Sequence, residues 1–462
     1  MNVIQIVALV LFLIMYVLML VFSEKRPYIT SGAAIIFIVL MVINFIVYQD
    51  NSFGEALGAT AKTAFTDLSS WNVLLMIAGT MGVVALFIES KMPSLMADII
   101  INKVPNVKWA MVGLALFASL ISAFIDNVAT VLMVAPVAMT VCKKLEINPV
   151  PGIIAIAISS NLQGAATLVG DTTSILLGQE TGMNFVDFFW LNGRPNLFFI
   201  VQAGALTSAF VLLFIFRKYT QPLEQVEKTK VTDYFPSFLL LGIIVCLIIA
   251  SFFTIPVPWL DSLKNGIICI TIFLIGFIRK LIKTKESKKE VTKEAVKSLD
   301  FETLILLFGL FIVIGGLGAL GIIGKIGDAF NNIAHSLNMS PNATIFVLYT
   351  MIVFVSVIIS SFVDNIPYVM TMLPVITALL PGLGLAPGDN KAYLLYFGLL
   401  IGATLGGNLT PVGASANITG IGMLRKEGYE VKTSTFMKIS VPFTLVAVFT
   451  GWGLCYLIWG IW

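Results

Sequence analysis

Ser122-Ala123-Phe124-Ile125-Asp126-Asn127-Val128 opens a stretch that closes at Pro136, and Ser360-Ser361-Phe362-Val363-Asp364-Asn365-Ile366 opens one that closes at Pro374. Over sixteen aligned positions, counted from Ser122 and from Ser360, seven residues are identical. Each copy sets an ionisable Asp beside an Asn inside apolar sequence. A carboxylate in such a place costs roughly 2.5–3.5 kcal/mol on an insertion scale. A chain that accepts this cost twice, at matching places in its two halves, is built around those two points.

The surroundings say membrane. Of 462 residues, 58% are hydrophobic and only 11% charged. Apolar runs of near-spanning length recur throughout, each able to cross a ~30 Å hydrocarbon core. The first, Ile4 to Phe22, runs into Ser-Glu-Lys-Arg-Pro with no small-residue cleavage site, and reads as a retained helix rather than a signal peptide. A net charge of +3 gives no case for nucleic acid. Cys142, Cys246, Cys269 and Cys455 match no zinc or redox spacing and read as packing residues. His335, the one histidine, reads as a surface residue.

The expected spans are 4–22, 29–48, 71–90, 196–216, 236–253, 264–278, 301–324 and 439–460. Regions 109–143 and 341–380 are interrupted by Asp-Asn near their middles and read as re-entrant helical hairpins. Each is followed by a helix that should break, 149–182 and 392–424. If the hairpins enter and leave on one side, 23 Lys and Arg fall on one face of the membrane and 5 on the other. That split makes the basic face cytoplasmic. Lys25, Arg26 and the Lys/Glu-rich segment 279–300, read as a solvated loop, lie there. The same assignment turns the two hairpins in opposite directions. The expected fold is therefore an all-α polytopic membrane protein of two inverted-topology repeats, each with a hairpin and a broken transmembrane helix. The first repeat is 1–216, the linker and first two helices of the second are 217–300, and the remainder is 301–462.

The broken helices carry a second matched pair. Asn161-Leu-Gln-Gly-Ala-Ala-Thr167-Leu-Val-Gly170-Asp171-Thr172-Thr173-Ser174 aligns with Thr404-Leu-Gly-Gly-Asn408-Leu-Thr410-Pro411-Val-Gly413-Ala414-Ser415-Ala416-Asn417. Gly, Pro and small hydroxyl residues in mid-membrane unwind a helix. Freed carbonyls can then coordinate a cation, and amides at a new helix start can hold an anion. Close helix packing is the plainer use of small residues, and it suits Gly309, Gly315, Gly316, Gly318, Gly321 and Gly324, which have no polar company. The candidate binding residues are Asp126, Asn127, Thr130, Asn161, Thr167, Asp171, Thr172, Asp364, Asn365, Thr404, Asn408, Thr410, Ser415 and Asn417.

A buried Asp can hold a proton, hold a hard cation with neighbouring oxygens, or cap a helix. Asp126 and Asp364 are the matched pair and the candidates for Na⁺; Asp171 is unmatched, because Ala414 stands at its counterpart position. No Lys, Arg or His lies inside the four motifs, so an anionic cargo would depend on helix-end amides and bound cations. Coupling to Na⁺ or H⁺ follows, with no other cofactor. No nucleophile–base set points to an enzyme, and no phosphate-binding loop to an ATP-driven pump.

These motifs together, Asp-Asn twice, Gly-Ala-Ala-Thr-Leu-Val-Gly-Asp (164–171) and Gly-Gly-Asn-Leu-Thr-Pro-Val-Gly-Ala-Ser-Ala-Asn (406–417), resemble the ion transporter superfamily. Its arsenite-permease/NhaD-type branch, which includes the P protein, is the nearest in pattern, and the citrate and divalent anion/sodium symporters are related. The resemblance implies a scaffold and a moving transport domain, a homodimer, and elevator-like alternating access in the inner or plasma membrane. In the symporters the tips carry Ser-Asn-Thr and bind Na⁺ and carboxylate. Asn127 and Asn365 carry over by position, while Asp126 and Asp364 replace the Ser. The leading expectation is a carrier of a small anion or oxyanion coupled to Na⁺ or H⁺. A Na⁺/H⁺ antiporter and an arsenite efflux permease working with a partner ATPase are the alternatives.

Overall fold

The computed structural model describes residues 1–223, 227–284, 287–336 and 339–461. Lys285 of the linker and the side chain of His335 lie outside the described residues. The chain is a multi-pass membrane protein, with 11 helices among the described residues long and apolar enough to span a bilayer.

The first half runs α1 (Val3–Val21), α2 (Arg26–Gln49), α3 (Phe53–Phe65), α4 (Leu68–Glu89), α5 (Met92–Ile101), α6 (Val107–Ser122), α7 (Asn127–Lys144), α8 (Val150–Leu162), α9 (Thr172–Thr181) and α10 (Leu197–Ile215). The second runs α11 (Phe235–Ala250), α12 (Pro258–Lys283), α13 (Lys288–Ser298), α14 (Phe301–Ala319), α15 (Ile322–Ser336), α16 (Pro341–Ser360), α17 (Asn365–Leu379), α18 (Asn390–Gly406), α19 (Ser415–Lys426) and α20 (Thr433–Cys455). The order repeats helix for helix. Both expected interruptions at Asp-Asn form, between α6 and α7 and between α16 and α17, and both expected breaks form, α8/α9 and α18/α19.

Short amphipathic helices are where the sequence reading fell short. α3 and α13 were not expected, and neither were α5 and α15 as separate elements. None reaches the ~20 apolar residues that a span needs. Segment 279–300 is not a loop: α12 runs on to Lys283, and α13 follows with Val291 buried. The expected span 301–324 stops at Ala319, because Gly321 turns the chain at φ +70°. Gly321 is thus a turn residue rather than a packing one. Gly309 and Gly316 do serve packing, since a β-carbon there would stand 2.9 Å from the Thr30 backbone and 2.8 Å from the Phe37 ring. Gly324 has open space about it. The one named pair of strands departs from an all-α chain: Trp190–Leu191 pairs with Arg194–Pro195. Its two-residue turn is Asn192-Gly193, both at positive φ as a type I′ hairpin requires.

The breaks bring the halves together. α2 packs on α14 and α4 on α12, so each half lends two long helices to one assembly. On the other side, α8 and α18 stop where they cross, and their loops meet the hairpin tips.

Candidate functional site

Each tip is built by the same local chemistry. Asp126 caps α7, its Oδ2 accepting from the amides of Val128 (2.9 Å) and Ala129 (3.2 Å). Asp364 caps α17, accepting from the Ile366 amide at 3.1 Å. An Asp at this position satisfies amides that a helix start leaves unpaired. Each tip is also tied to the broken helix that follows it. Thr167 Oγ1 donates to the Ala123 carbonyl, and Thr410 Oγ1 to the Ser361 carbonyl. Ser174 Oγ donates to the Gly164 carbonyl (2.7 Å), and Asn417 Nδ2 to the Gly407 carbonyl (3.1 Å).

These ties gather carbonyls. A β-carbon at Gly170 would stand 2.9 Å from the Ala123 carbonyl oxygen and 3.2 Å from those of Gly164 and Ser122. A β-carbon at Gly413 would stand 2.7 Å from the Gly407 oxygen, 2.8 Å from Ser361 and 3.0 Å from Ser360. Three carbonyl oxygens from a tip and a break thus converge beside a glycine, once in each half.

Between the two clusters lies a buried network of amides. Asn127 Nδ2 donates to Asn161 Oδ1 (3.0 Å). Asn161 Nδ2 donates to the Thr404 carbonyl (2.8 Å) and to Asn408 Oδ1 (3.1 Å). Asn408 Nδ2 returns to the Ile158 carbonyl at 2.9 Å. Thr130 Oγ1, Thr404 Oγ1 and Asn417 Oδ1 are buried with no hydrogen-bond partner among the described residues. A buried polar atom left unpaired is costly, and these three lie around the same network.

Asp171 caps α9: its carboxylate accepts from the Thr172 amide (2.8 Å), Thr173 Oγ1 (3.0 Å) and Asn365 Nδ2 of the other half (3.3 Å). Ala414 takes the matching place before α19, as the alignment required. A cavity of about 290 Å³ opens beside these groups. Asp126, Asn127, Asn161, Asp171, Thr172, Asn365 and Ser415 line it from the tips and breaks, with Asp300 and Thr303 from the start of α14 and Met81 to Ile88 of α4 opposite. Of the expected residues, Thr130, Thr167, Thr404, Asn408, Thr410 and Asn417 sit behind this lining.

Three site residues escaped the sequence. Asp300 lines the cavity from a helix cap that carries no motif. Arg26, outside the four motifs, brings a basic side chain to the second tip: its guanidinium reaches Asp364 Oδ2 at 2.8 Å. Tyr16 donates to the Pro367 carbonyl at 2.5 Å and bonds Thr371. Arg26 and Asp364 are 338 positions apart, and an Arg-Pro pair at a helix start gives no signal of so distant a partner.

The model of the citrate transporter family matches residues 17–398. The chain belongs to the citrate transporter family. Relatives within reach of this citrate transporter homologue include the 46 kDa membrane protein of Mycobacterium leprae, 30% identical over 72% of this chain and 74% of its own length. The human P protein is 27% identical over 86% of this chain, which spans 54% of that longer protein. Among solved structures, the Alcanivorax borkumensis YdaH transporter superposes with a TM-score of 0.61 at 14% identity, covering 95% of this chain and 98% of that one. Neisseria gonorrhoeae MtrF superposes at 0.57 with 16% identity, covering 93% and 95%. At such identities these two structures speak for the fold. The chain is therefore a secondary transporter with the YdaH-like fold, and not an enzyme.

Proposed function

We propose that this chain is a Na⁺-coupled carrier of a small carboxylate, working by elevator-like alternating access between inverted repeats. The pair of carbonyl clusters beside Gly170 and Gly413 carries the proposal. Carbonyl oxygens bear no titratable proton, and a desolvated alkali cation wants several hard oxygens at once. Asp126 and Asp364 supply negative charge at each tip. The cargo class rests on the family description, citrate transporter.

Among the described residues no Lys or Arg lines the 290 Å³ cavity, while Asp126, Asp171 and Asp300 do. A carboxylate would enter such a cavity only with cations already bound, and the amides opening α9 and α19 would complete its partners. Cation first and anion second is the order this electrostatics dictates. With the basic face cytoplasmic, Arg26 and Asp300 mark the cytoplasmic ends of α2 and α14. Both tips lie level with them, which is the arrangement of an inward-facing carrier.

The three carboxylates also favour a second reading, Na⁺/H⁺ exchange, in which they carry the transported ions themselves. Proteoliposomes holding a pH dye separate the two. Under our reading, an inward Na⁺ gradient drives uptake of labelled citrate and moves no protons in the absence of a permeant anion. Na⁺-driven proton movement without any anion, lost in Asp126→Asn, would replace our reading with exchange.

A further inference from the structure

Asp126 and Asp364 are twins in sequence and in capping role, yet they differ in charge partner. Among the described residues, Asp126 is paired with no Lys or Arg; Asp364 is paired with Arg26. This pair is not an exposed one. The Arg26 side chain is 15% exposed and that of Asp364 10%. Arg26 is also aimed: its Nε donates to the Met19 carbonyl at the end of α1 (3.3 Å), which leaves Nη1 for Asp364 Oδ2. Tyr16, from the same helix, bonds the Pro367 carbonyl and Thr371 one turn further along α17. Three side-chain bonds thus dock the second tip onto α1 and α2. Among the described residues the first tip has no such device, and α12, the counterpart of α2, opens Pro258-Trp259-Leu260-Asp261 with no basic residue in its first turn.

We infer that Arg26 is a built-in stand-in for the coupling cation at Asp364. With no Na⁺ at the second tip, the guanidinium neutralises the carboxylate and holds the hairpin against α1 and α2. Na⁺ bound between Asp364 and the carbonyls of Ser360, Ser361 and Gly407 competes with Arg26, frees the tip and permits the transport domain to move. Until Na⁺ replaces the guanidinium, the second tip stays docked on α1 and α2. Arg26 acts here as a positioning residue, since it works through Asp364 and touches no cargo. This inference rests on the Na⁺-coupled reading above.

Competition makes a prediction that a merely structural ion pair does not: removing Arg26 must tighten Na⁺ binding. The full-length protein in detergent would be titrated with Na⁺ against a choline background at constant ionic strength and pH, following thermal stabilisation. Arg26→Gln should lower the half-saturating Na⁺ concentration at least about tenfold, the effect of losing one competing charge-assisted bond. Arg26→Lys keeps the charge and should stay near the wild type. Tyr16→Phe removes only one docking bond and should shift the curve the same way by a smaller factor, which keeps the test open should Arg26→Gln not fold. Half-saturation that is unchanged or raised in Arg26→Gln, or unchanged in Tyr16→Phe when only that variant folds, overturns the competition alone. A wild type indifferent to Na⁺ overturns the Na⁺-coupled reading beneath it, and with it the competition.

Discussion

The two hairpin tips share Asp-Asn, a helix cap, a threonine tether and a carbonyl cluster, but they meet different neighbours. The first tip faces Asp300 across the cavity. Asp67 is the counterpart of Asp300: each caps its helix and accepts from a hydroxyl three residues on, Ser70 or Thr303, at 2.6 Å. Yet Asp67 does not meet Asp364. It shares a cavity with Met370, Leu373 and Pro374, six to ten residues further along α17. At ~1.5 Å per helical residue, Asp364 lies about 9–15 Å from the place beside Asp67 that its twin's relation to Asp300 would give it. Matched local chemistry thus stands at unmatched places along one scaffold. The difference is what the elevator-like motion proposed above requires of one of its end states.

The comparison can be broken most severely at its shared element. Gly170→Ala and Gly413→Ala each place a methyl where three carbonyls converge. Each should abolish Na⁺-dependent uptake in proteoliposomes while leaving the protein monodisperse. Uptake within about threefold of wild type in either would show that its cluster holds no ion; a loss of one oxygen ligand alone is expected to cost about tenfold or more.

Next in size is the network that joins the halves. Asn161 bonds Asn127, Thr404 and Asn408 at full burial. Asn161→Ala strands buried partners and should cost roughly 2–4 kcal/mol, read as a lowered melting temperature with both tips equally affected. An unchanged melt would mean the halves are not coupled through it.

The tethers offer a symmetric control. Thr167→Val and Thr410→Val each delete one hydroxyl bond to a tip carbonyl. Each should cost about 1 kcal/mol, and by similar amounts. Unequal losses beyond about 1 kcal/mol would show that the tips are not equivalent below the level of their charge partners.

The smallest effect lies outside the membrane. Two bonds from Arg279 hold the Asp233 carboxyl below the usual carboxylate range. A depressed folded value gives stability that is present above the unfolded pKa of ~3.9 and is lost as pH falls through the folded one. The pair is half-buried and reached by solvent, so Asp233→Asn should cost only about 0.5 kcal/mol at neutral pH, with the difference shrinking in melts as pH falls below about 3.9.

Much of this was legible in the sequence because repetition is. Matched Asp-Asn pairs located the tips, and aligned Thr167/Thr410 and Gly170/Gly413 located the breaks; of each carbonyl cluster only the break's own carbonyl, Gly164 or Gly407, falls where freed carbonyls were expected. What failed had no repeat or hydropathy signature. α3 and α13 are too short and too polar for a span. Arg26 looked like a loop charge, because nothing local says that a guanidinium will fold onto a carboxylate from the other half. Asp300, at the end of the linker, gave no signal of its own, and only the cavity it shares with Asp126 makes it part of the site.

Direct binding of radioactive sodium to the purified protein tests the central claim, that each tip holds a cation at its carbonyl cluster. The account predicts saturable binding in the wild type, reduced in both Gly170→Ala and Gly413→Ala and absent when the two are combined. Full binding in the double variant would contradict it.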